Sequence, residues 1–239
     1  MSEVVLSESL KYVQSKKDSS IELVYIDPPF FTQKDHGDFD DHWEDLDEYL
    51  DFLQDHFFEF HRVLSDAGNL IVHVDWRTSH YLKVGLDSVF GYGNFQAEIV
   101  WSYSSGGASK RRLSRKHDTL LWYSKSDAYT FNPQREPYAT PNVANRPGFH
   151  PEGRLLTDVW PISIISTTGS ERVGYATQKP LALLNRVVSV FSNDGDRVLD
   201  CFCGSGTTGV ACQNLHRDFY LCDSNPDAVR ISKKRLGLA

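Results

Sequence analysis

Short runs of apolar, β-branched residues alternate along the chain with stretches of helical periodicity. Residues 3–6 and 21–26 are two such runs, and residues 8–13 between them have room for one or two helical turns. Apolar side chains then recur every three or four residues from 46 to 64, which predicts a long amphipathic helix that stops near Gly68. The chain therefore opens with a β-α-β unit followed by a helix.

The same alternation continues toward the end of the chain. The pattern predicts strands over residues 69–74, 97–103, 119–123, 197–200 and 219–223, and helices over residues 78–90, 181–192, 208–214 and 226–236. Alternating strands and helices are typical of a doubly wound α/β sheet. We expect residues 1–239 to form a single domain.

One long stretch lacks this periodicity. Residues 131–173 are rich in Pro, Asn, Gly and Thr, and only residues 163–166 read as a strand. A stretch this long without regular structure is unusual in a compact domain unless it serves a function. We therefore expect residues 131–173 to contribute to function.

Composition narrows the class of protein. The chain has 239 residues, of which 40% are hydrophobic and 24% charged, as in ordinary soluble domains. No apolar run approaches the roughly 20 residues of a membrane span. The start Met1-Ser2-Glu3 lacks a signal-peptide pattern, so we expect a cytoplasmic protein with no membrane partner.

The cysteines favour reduced thiols over a metal site or a disulfide framework. All of them fall in or beside predicted strands, loops and helices: Cys201, Cys203, Cys212 and Cys222. We expect no metal.

Charge is distributed unevenly along the chain. The net charge of −7 argues against a generic nucleic-acid binder. Much of the negative charge lies between residues 35 and 59, at Asp35, Asp38, Asp40, Asp41, Glu44, Asp45, Asp47, Glu48, Asp51, Asp55 and Glu59. We call the compact cationic stretch Lys110-Arg111-Arg112-Leu113-Ser114-Arg115-Lys116 the basic run. One face of the protein could therefore still follow a phosphate backbone.

A glycine-containing loop follows the strand that ends at Asp200. Its sequence, Asp200-Cys201-Phe202-Cys203-Gly204-Ser205-Gly206-Thr207, places two glycines where the backbone turns sharply before a helix. The next strand ends at Asp223, close to the roughly 20-residue offset at which an acidic side chain accepts ribose hydroxyls. This order of elements predicts a nucleoside site.

The glycine loop does not match a pyrophosphate site. It lacks the third glycine of the dinucleotide fingerprint, and the chain has no Gly-Lys-Ser or Gly-Lys-Thr phosphate loop. An adenosyl group without pyrophosphate fits better. The alternative is a tight strand-to-helix turn that binds no ligand.

A second unusual loop, Asp27-Pro28-Pro29-Phe30, follows the predicted strand 21–26 directly. Two prolines make this loop rigid, which suits a loop that aims chemical groups. Asp27 and the Pro28 carbonyl offer two acceptors for an amino group, and Phe30 offers a ring face for a flipped base. The alternative is a proline-stiffened loop that only caps a strand.

Such a grip would direct the lone pair of the amine toward a methyl donor. Catalysis would then consist of proximity and in-line alignment, with no covalent nucleophile or metal.

These residues resemble the amino-methyltransferases of DNA, in the permuted beta arrangement where the Asp-Pro-Pro-aromatic motif precedes the cofactor motif. Two further stretches are similar to that family. Residues 116–125 resemble its His-acidic-strand signature, and Thr177-Gln178-Lys179-Pro180 resembles the element that leads into the cofactor helix. The resemblance covers nearly the whole chain.

The resemblance implies a Rossmann-like methyltransferase fold with a seven-stranded mixed sheet, S-adenosyl-L-methionine as cofactor, and a base flipped from double-stranded DNA. It implies that Asp27 favours adenine N6 and that residues 131–173 form a target-recognition insertion. A homodimer, a restriction endonuclease and an accessory subunit are the partners it suggests. The implied cofactor contacts are Lys179, Asp200, Phe202, Gly204, Ser205, Gly206, Thr207 and Asp223.

The basic run is interpreted as a phosphate contact, with Lys110, Arg111, Arg112, Arg115 and Lys116 joined by His117. His117 could also approach the flipped base or serve structure alone. Three other functions stay open from the sequence: methylation of cytosine N4, methylation of RNA, and a catalytically silent subunit that binds cofactor or DNA.

Overall fold

The computed structural model describes residues 2–35, 37, 39–104, 107–140, 142–166 and 168–238. Met1 and Asp38, which the sequence analysis used, lie outside the described residues. The elements are, in chain order, β1 (Glu3–Leu6), α1 (Ser9–Gln14), β2 (Ile21–Ile26), α2 (Leu46–Val63), β3 (Leu64–Val74), α3 (Ser79–Phe90), β4 (Phe95–Ser102), β5 (His117–Ser124), β6 (Arg135–Glu136), β7 (Arg154–Leu155), β8 (Val159–Pro161), α4 (Leu181–Phe191), β9 (Arg197–Asp200), α5 (Thr207–Asn214), β10 (Asp218–Asp223) and α6 (Pro226–Leu236).

Most of the predicted elements, α2 among them, form within one or two residues of their expected bounds, but β3 starts five residues earlier than predicted. The helix ends at Val63 and the strand starts at once with Leu64, so the helix does not continue toward Gly68. Leu64 is fully buried and pairs with Ile21 of β2, while Leu23 of β2 already pairs with Asn69. The early strand start and its bulge therefore come from pairing with β2, which helical periodicity does not report.

The main sheet has eight strands in the order β1-β10-β9-β2-β3-β5-β4-β8. It is mixed, because β5 runs antiparallel to both of its neighbours while the other neighbouring pairs are parallel. The expected α/β class is correct, but the expected count of seven strands is one too low. The additional strand is the three-residue β8, which pairs with the outer edge of β4.

Helices cover both faces of the sheet. Apolar residues of α1, α2 and α3 pack on one face, represented by Val13, Phe57 and Leu82. Residues of α4, α5 and α6 pack on the other face, represented by Leu184 and Ala211. In the described part of the chain, no helix combines the length and the apolar character needed to cross a membrane.

The described part of residues 131–173 contains short strands that the sequence pattern did not predict. The two-residue strands β6 and β7 pair antiparallel, and Arg154 Nη2 lies 2.7 Å from Glu136 Oε1 across that pair. The predicted strand over 163–166 is wrong, because the sheet edge is taken by β8, which starts four residues earlier at Val159. The chain turns away after Ile162, whose carbonyl accepts a hydrogen bond of 2.8 Å from Trp101 Nε1.

The direction of the connections reverses between β2 and β9. From β2 the chain passes through α2 to β3 on one side, and from β9 it passes through α5 to β10 on the other. In open α/β sheets, ligands bind beside such a reversal at the carboxyl ends of the strands. The loops that begin with Asp27 and Asp200 both start there.

Candidate active site

A cleft of about 510 Å³ opens at the carboxyl ends of the central strands. Most of the residues predicted for a site line it: Asp27, Pro28, Pro29, Phe30, Lys179, Asp200, Phe202, Gly204, Ser205, Thr207 and Asp223. Its volume lies in the range of sites for small molecules and cofactors. The structure thus brings the two motifs, separated by more than 150 residues in the sequence, to one cleft.

The two carboxylate oxygens of Asp27 have different surroundings. Oδ2 accepts a hydrogen bond from Lys179 Nζ, which also lies 5.3 Å from the centre of the Phe30 ring. Oδ1 is buried and has no hydrogen-bond partner among the described residues, and His73 Nδ1 lies 3.6 Å away. Because buried polar atoms normally have partners, Asp27 Oδ1 is available to a ligand.

Asp41 fixes the loop that follows the prolines. Its side chain is fully buried. It accepts hydrogen bonds from the backbone nitrogens of Phe30, Phe31 and Thr32 at 3.3, 3.1 and 2.7 Å. The sequence analysis counted Asp41 only as part of an acidic stretch. Its function is instead to hold the backbone beside Phe30.

Tyr49 on α2 also stabilises the loop that contains the prolines. Its hydroxyl donates a hydrogen bond of 2.8 Å to the carbonyl of Pro29. The prediction that the Pro28 carbonyl faces the ligand is compatible with this arrangement, since Tyr49 engages the neighbouring carbonyl.

Gly204 and Gly206 have the positive φ angles that glycine favours, +49° and +75°. A Cβ at Gly204 would lie 2.9 Å from the Tyr175 ring, and one at Gly206 would lie 2.7 Å from Ser232 Oγ. Gly206 does not belong to the residues that line the cleft. Its position against Ser232 indicates that it allows the α5 start to pack on α6, and its predicted cofactor contact remains a prediction.

Ser205 and Thr207 turn their polar atoms toward α6. Arg235 Nη1 donates hydrogen bonds to the Ser205 carbonyl at 2.8 Å and to Thr207 Oγ1 at 3.0 Å. Burial lowers the pKa of Arg235. Arg235 on α6 was not anticipated from sequence; it does not line the cleft, and it fixes the glycine loop through these hydrogen bonds.

Asp200 and Asp223 brace the same loop with their carboxylates. Asp200 accepts hydrogen bonds from Thr208 Oγ1 at 2.5 Å and from Phe202 N at 3.0 Å, while Asp223 Oδ2 accepts one from Gly204 N at 2.8 Å. Burial raises the pKa of Asp200 to about 7. The negative charges of Asp27 and Asp223 raise it as well, whereas the hydrogen bonds from Thr208 and Phe202 lower it. Burial also raises the pKa of Asp223.

Phe202 projects at the side of the cleft next to α2. Its ring centre lies 5.5 Å from that of His56 and 6.3 Å from that of Phe52. The cysteines on either side, Cys201 and Cys203, are buried and free, and burial raises the pKa of both thiols. Within the described ranges, no three His, Cys, Asp or Glu side chains form a group that could hold a metal ion.

A buried polar cluster behind Phe30 was missed by the sequence analysis. His73 is fully buried on β3, and its ring lies 5.6 Å from the Phe30 ring. Its Nδ1 lies 3.0 Å from the Tyr25 hydroxyl, and its Nε2 lies 3.4 Å from Asp118 Oδ2. The sequence did offer one signal for His73: it is a titratable residue near the carboxyl end of β3, the strand beside β2.

The basic run lies outside the cleft lining, in the connection between β4 and β5. That connection leaves the sheet at the same edge as the Asp27 loop, because β4 runs in the direction of β3. Lys110, Arg111 and Arg112 are exposed. The guanidinium carbon of Arg115 lies 3.4 Å from the centre of the Trp76 ring. The structure therefore places cationic side chains at the same edge of the sheet as the cleft, beyond its lining.

His117 starts β5 and is exposed, paired in the sheet with Ser102. It does not line the cleft. Its neighbour Asp118 points inward instead and contacts His73. An approach of His117 to a base in the cleft therefore finds no support, and its predicted contact with DNA remains a prediction.

Comparison with known proteins agrees with this geometry. The family model for DNA methylases matches residues 21–234. The type II methyltransferase M.HpaI of Haemophilus parainfluenzae is 31% identical over 98% of this chain and 73% of its own length. The DNA adenine methyltransferase YhdJ of Escherichia coli K12 is 26% identical over 99% of this chain and 83% of its own length. The chain belongs to the DNA methylase family, as its motifs indicated.

Solved structures share the fold. M1.HpyAVI in complex with SAM superposes with a TM-score of 0.71 at 24% identity over 100% of both chains. The cytosine-N4-specific PvuII DNA methyltransferase superposes with a TM-score of 0.72 at 18% identity, over 98% of this chain and 86% of its own. The chain therefore has the same fold as these two proteins.

Replacing Asp41 by Asn should loosen the loop beside Phe30, because an amide group would turn an N–H toward backbone donors. Each lost hydrogen bond at a buried group costs on the order of 1–3 kcal/mol, so we expect amide hydrogen exchange at Phe31 and Thr32 to accelerate about tenfold or more. Exposed Asp40 offers the matched control Asp40→Asn. Unchanged exchange in Asp41→Asn would show that other contacts hold the loop.

The raised pKa of Asp200 makes stability depend on pH. The folded state binds a proton that the unfolded state releases near pH 4, so this residue lowers the free energy of unfolding as pH rises toward about 7. Asp200→Asn removes that dependence. The free energy of unfolding of the variant minus that of wild type should therefore increase as pH rises toward about 7, by up to about 1.4 kcal/mol per pH unit. Above that pH the difference should stay constant.

Urea unfolding of Asp200→Asn and wild type from about pH 5 to about pH 8 measures this difference. Asp51→Asn, on the exposed side of α2, controls for the loss of one carboxyl group. A difference between Asp200→Asn and wild type that does not vary with pH would contradict the raised pKa.

Proposed function

We propose that this protein transfers a methyl group from S-adenosyl-L-methionine to an exocyclic amino group of a base flipped out of double-stranded DNA, with adenine N6 as the acceptor. The observation that carries this proposal is the shared cleft. The Asp27-Pro28-Pro29-Phe30 loop and the glycine loop line the same cavity of about 510 Å³.

The residues at the glycine loop fit an adenosyl cofactor. Gly204 brings the backbone to the cleft surface, Phe202 supplies a ring, and Asp223 supplies a carboxylate for ribose hydroxyls. When bound, S-adenosyl-L-methionine supplies an electrophilic methyl group on a positively charged sulfur. The carboxylates of Asp27, Asp200 and Asp223 around the cleft favour a cation there.

Lys179 is assigned to the methionyl side of the cofactor. Its ammonium group contacts the Asp27 carboxylate. A carboxylate on the ligand would compete for that ammonium group and leave both oxygens of Asp27 free for an amine.

The other loop fits a planar amine. The unpartnered Oδ1 of Asp27 and the Pro28 carbonyl would accept the two amino protons, and Phe30 would stack on the base. Held in this way, the nitrogen lone pair points toward the methyl donor. The rigidity that Asp41 gives the loop supports catalysis by orientation.

Aspartate at the head of the loop is the reason for preferring adenine N6 over cytosine N4. Relatives and structural neighbours include an adenine enzyme by name and a cytosine-N4-specific one, so the choice rests on Asp27. RNA methylation is a weaker alternative, because the matching family model and the named relatives are DNA enzymes. A silent subunit is a weaker alternative, because it need not retain Asp27, Gly204 and Gly206 intact.

DNA contacts are assigned to segments outside the cleft lining. The basic run and His117 would contact phosphates, and residues 131–173 would read the target as an insertion in the single methyltransferase domain of residues 1–239. The limited size of residues 131–173 fits a short target sequence or assistance from a partner. Candidate partners are a second copy of the chain, a restriction endonuclease and an accessory subunit.

Purified protein incubated with isotope-labelled S-adenosyl-L-methionine and unmodified duplex DNA should yield labelled N6-methyladenine after digestion to nucleosides. Asp27→Ala should abolish the label and leave cofactor affinity within about tenfold, because its contact is with the amine and not the adenosyl group. Labelled N4-methylcytosine would overturn the choice of base. Loss of cofactor binding in Asp27→Ala would contradict its assignment to the base.

Replacing Lys110, Arg111 and Arg112 together by Ala should weaken DNA binding and flatten its salt dependence. Each lost phosphate contact reduces the slope of log K against log salt by about 0.9. Lys17, between α1 and β2, and Lys233 and Lys234, on α6, lie outside the cleft lining and provide a triple-alanine control with the same charge change. An unchanged slope in the first variant would move the phosphate contact elsewhere on the surface.

A further inference from the structure

We propose that Ser9 recognises the base of the cofactor: its hydroxyl, oriented by His56, accepts a hydrogen bond from the exocyclic amine of the adenosyl group and so selects against a deaminated base. This proposal rests on the proposed function, since it concerns the cofactor side of the same cleft. Ser9 is the first residue of α1 and lines the cleft, whereas His56 on α2 does not line it.

Both ring nitrogens of His56 have a hydrogen-bond partner. Nδ1 lies 2.7 Å from the carbonyl oxygen of Phe52, one turn earlier on α2, and Nε2 lies 2.8 Å from Ser9 Oγ. His56 is fully buried, so water does not compete for either nitrogen. These two contacts fix the orientation of the ring.

The partners of His56 determine where the protons lie. A carbonyl oxygen only accepts, so Nδ1 carries the proton that it donates to Phe52. Burial lowers the pKa of His56, because an imidazolium is poorly solvated there. The Phe52 hydrogen bond and the charges of Glu8 and Asp55 oppose this shift without cancelling it. The ring is therefore neutral near pH 7, and Nε2 accepts the hydroxyl proton of Ser9.

A serine hydroxyl that donates its proton to a histidine can only accept from a ligand. The Ser9 oxygen keeps its lone pairs, and Ser9 lines the cleft although it is only 8% exposed. A ligand group that binds this oxygen must therefore be a donor. An amine meets that requirement, whereas a carbonyl in the same place would set two acceptors against each other.

The residues around Ser9 suit the base of a nucleoside. Just after β1, the backbone nitrogen of Ser7 donates a hydrogen bond of 3.1 Å to the carbonyl of Asp223, the residue assigned to the ribose. Ser9 follows two residues later. The Phe202 ring, whose centre lies 5.5 Å from that of His56, offers the same part of the cleft a face for stacking. A stacking ring, an acceptor and a ribose carboxylate are thus neighbours.

Glu8 is a second acceptor next to Ser9, and it also lines the cleft. Its carboxylate oxygens accept hydrogen bonds from the backbone nitrogens of Leu10 and Lys11 at 3.2 and 3.1 Å, and so cap α1. Glu8 is exposed, whereas Ser9 is buried. A hydrogen bond shielded from water distinguishes a donor from an acceptor more strongly than an exposed one, so we assign the amine to Ser9.

The test is equilibrium binding of S-adenosyl-L-homocysteine and of S-inosyl-L-homocysteine, measured by calorimetry without DNA. The two molecules differ along one edge of the base, where a carbonyl in the second replaces the exocyclic amine of the first. We expect wild type to prefer the adenosyl compound. Ser9→Ala should lower that preference about tenfold, because a hydrogen bond to the amine and a repulsion from the carbonyl disappear together.

His56→Phe tests the orientation of the hydroxyl. Without the imidazole acceptor, Ser9 is free to turn its proton toward the cleft and donate it to a carbonyl. Affinity for the inosyl compound should therefore rise about threefold or more, whereas a residue that only fills the core would change both affinities together. Ser9→Ala keeps the proposal testable where His56→Phe does not fold, since alanine is favourable in a helix.

Ser7→Ala is the matched control. The Ser7 hydroxyl donates to the Glu8 carbonyl at 3.0 Å, and Ser7 does not line the cleft, so both affinities should stay within about twofold. Glu8→Gln should leave the preference for the adenosyl compound unchanged. Loss of that preference in Glu8→Gln but not in Ser9→Ala would overturn the assignment to Ser9.

NMR of the free protein labelled with ¹⁵N-histidine gives a readout without a ligand. The proposal requires His56 to be neutral at pH 7 with its proton on Nδ1, and an imidazolium or a proton on Nε2 would overturn it. An equal loss of both affinities in Ser9→Ala would also overturn it, because the hydroxyl would then contact the ribose. A wild-type protein that binds neither compound would overturn the proposed function and this inference with it, whereas the other results overturn the inference alone.

Discussion

The cleft depends on the parallel pairing of β2 with β9, in which Leu23 and Val24 lie beside Val198 and Leu199. Because both strands run in the same direction, their carboxyl ends meet at one edge. Because the connections that follow them diverge to opposite sides of the sheet, a gap opens between the two loops. The proline loop and the glycine loop are neighbours for this reason, although their positions in the sequence are far apart.

Each of these loops is then fixed by a polar side chain from a neighbouring element. Asp41 binds three consecutive backbone nitrogens next to Phe30, and Arg235 binds the carbonyl of Ser205 and the hydroxyl of Thr207. Buried hydrogen bonds with a charged partner are among the stronger ones in proteins. These hydrogen bonds keep the walls of the cleft ordered, so little free energy of binding is lost in ordering them.

Hydrophobic periodicity and loop composition were sufficient to predict most elements and the two loops that form the cleft. These signals are local, because a strand or a helix is encoded by consecutive residues and a sharp turn by its glycines and prolines. The start of β3 at Leu64 and the edge strand β8 were missed because both arise from pairing with distant strands. Residues 131–173, largely irregular, gave too little periodicity to place β8.

Asp41, His73 and Arg235 were missed for a related reason. Each acts through partners that only the fold brings near. In the sequence, Asp41 looks like the other acidic residues of its stretch, and Arg235 looks like the other basic residues at the end of α6. His73 has the apolar pattern of β3 around it and so reads as a core position. In sequence, a side chain that supports a site has the same appearance as one that only fills the core.

The negative charges around the cleft bear on the choice of cofactor. Three carboxylates, Asp27, Asp200 and Asp223, line one cleft, and burial raises the pKa of the latter two. Like charges around one cleft are unfavourable, and Lys179 offsets them by its contact with Asp27. A cationic ligand would offset them further, so the repulsion among the carboxylates favours a positively charged methyl donor. After methyl transfer the sulfur is neutral and that preference is lost, which favours exchange of the spent cofactor.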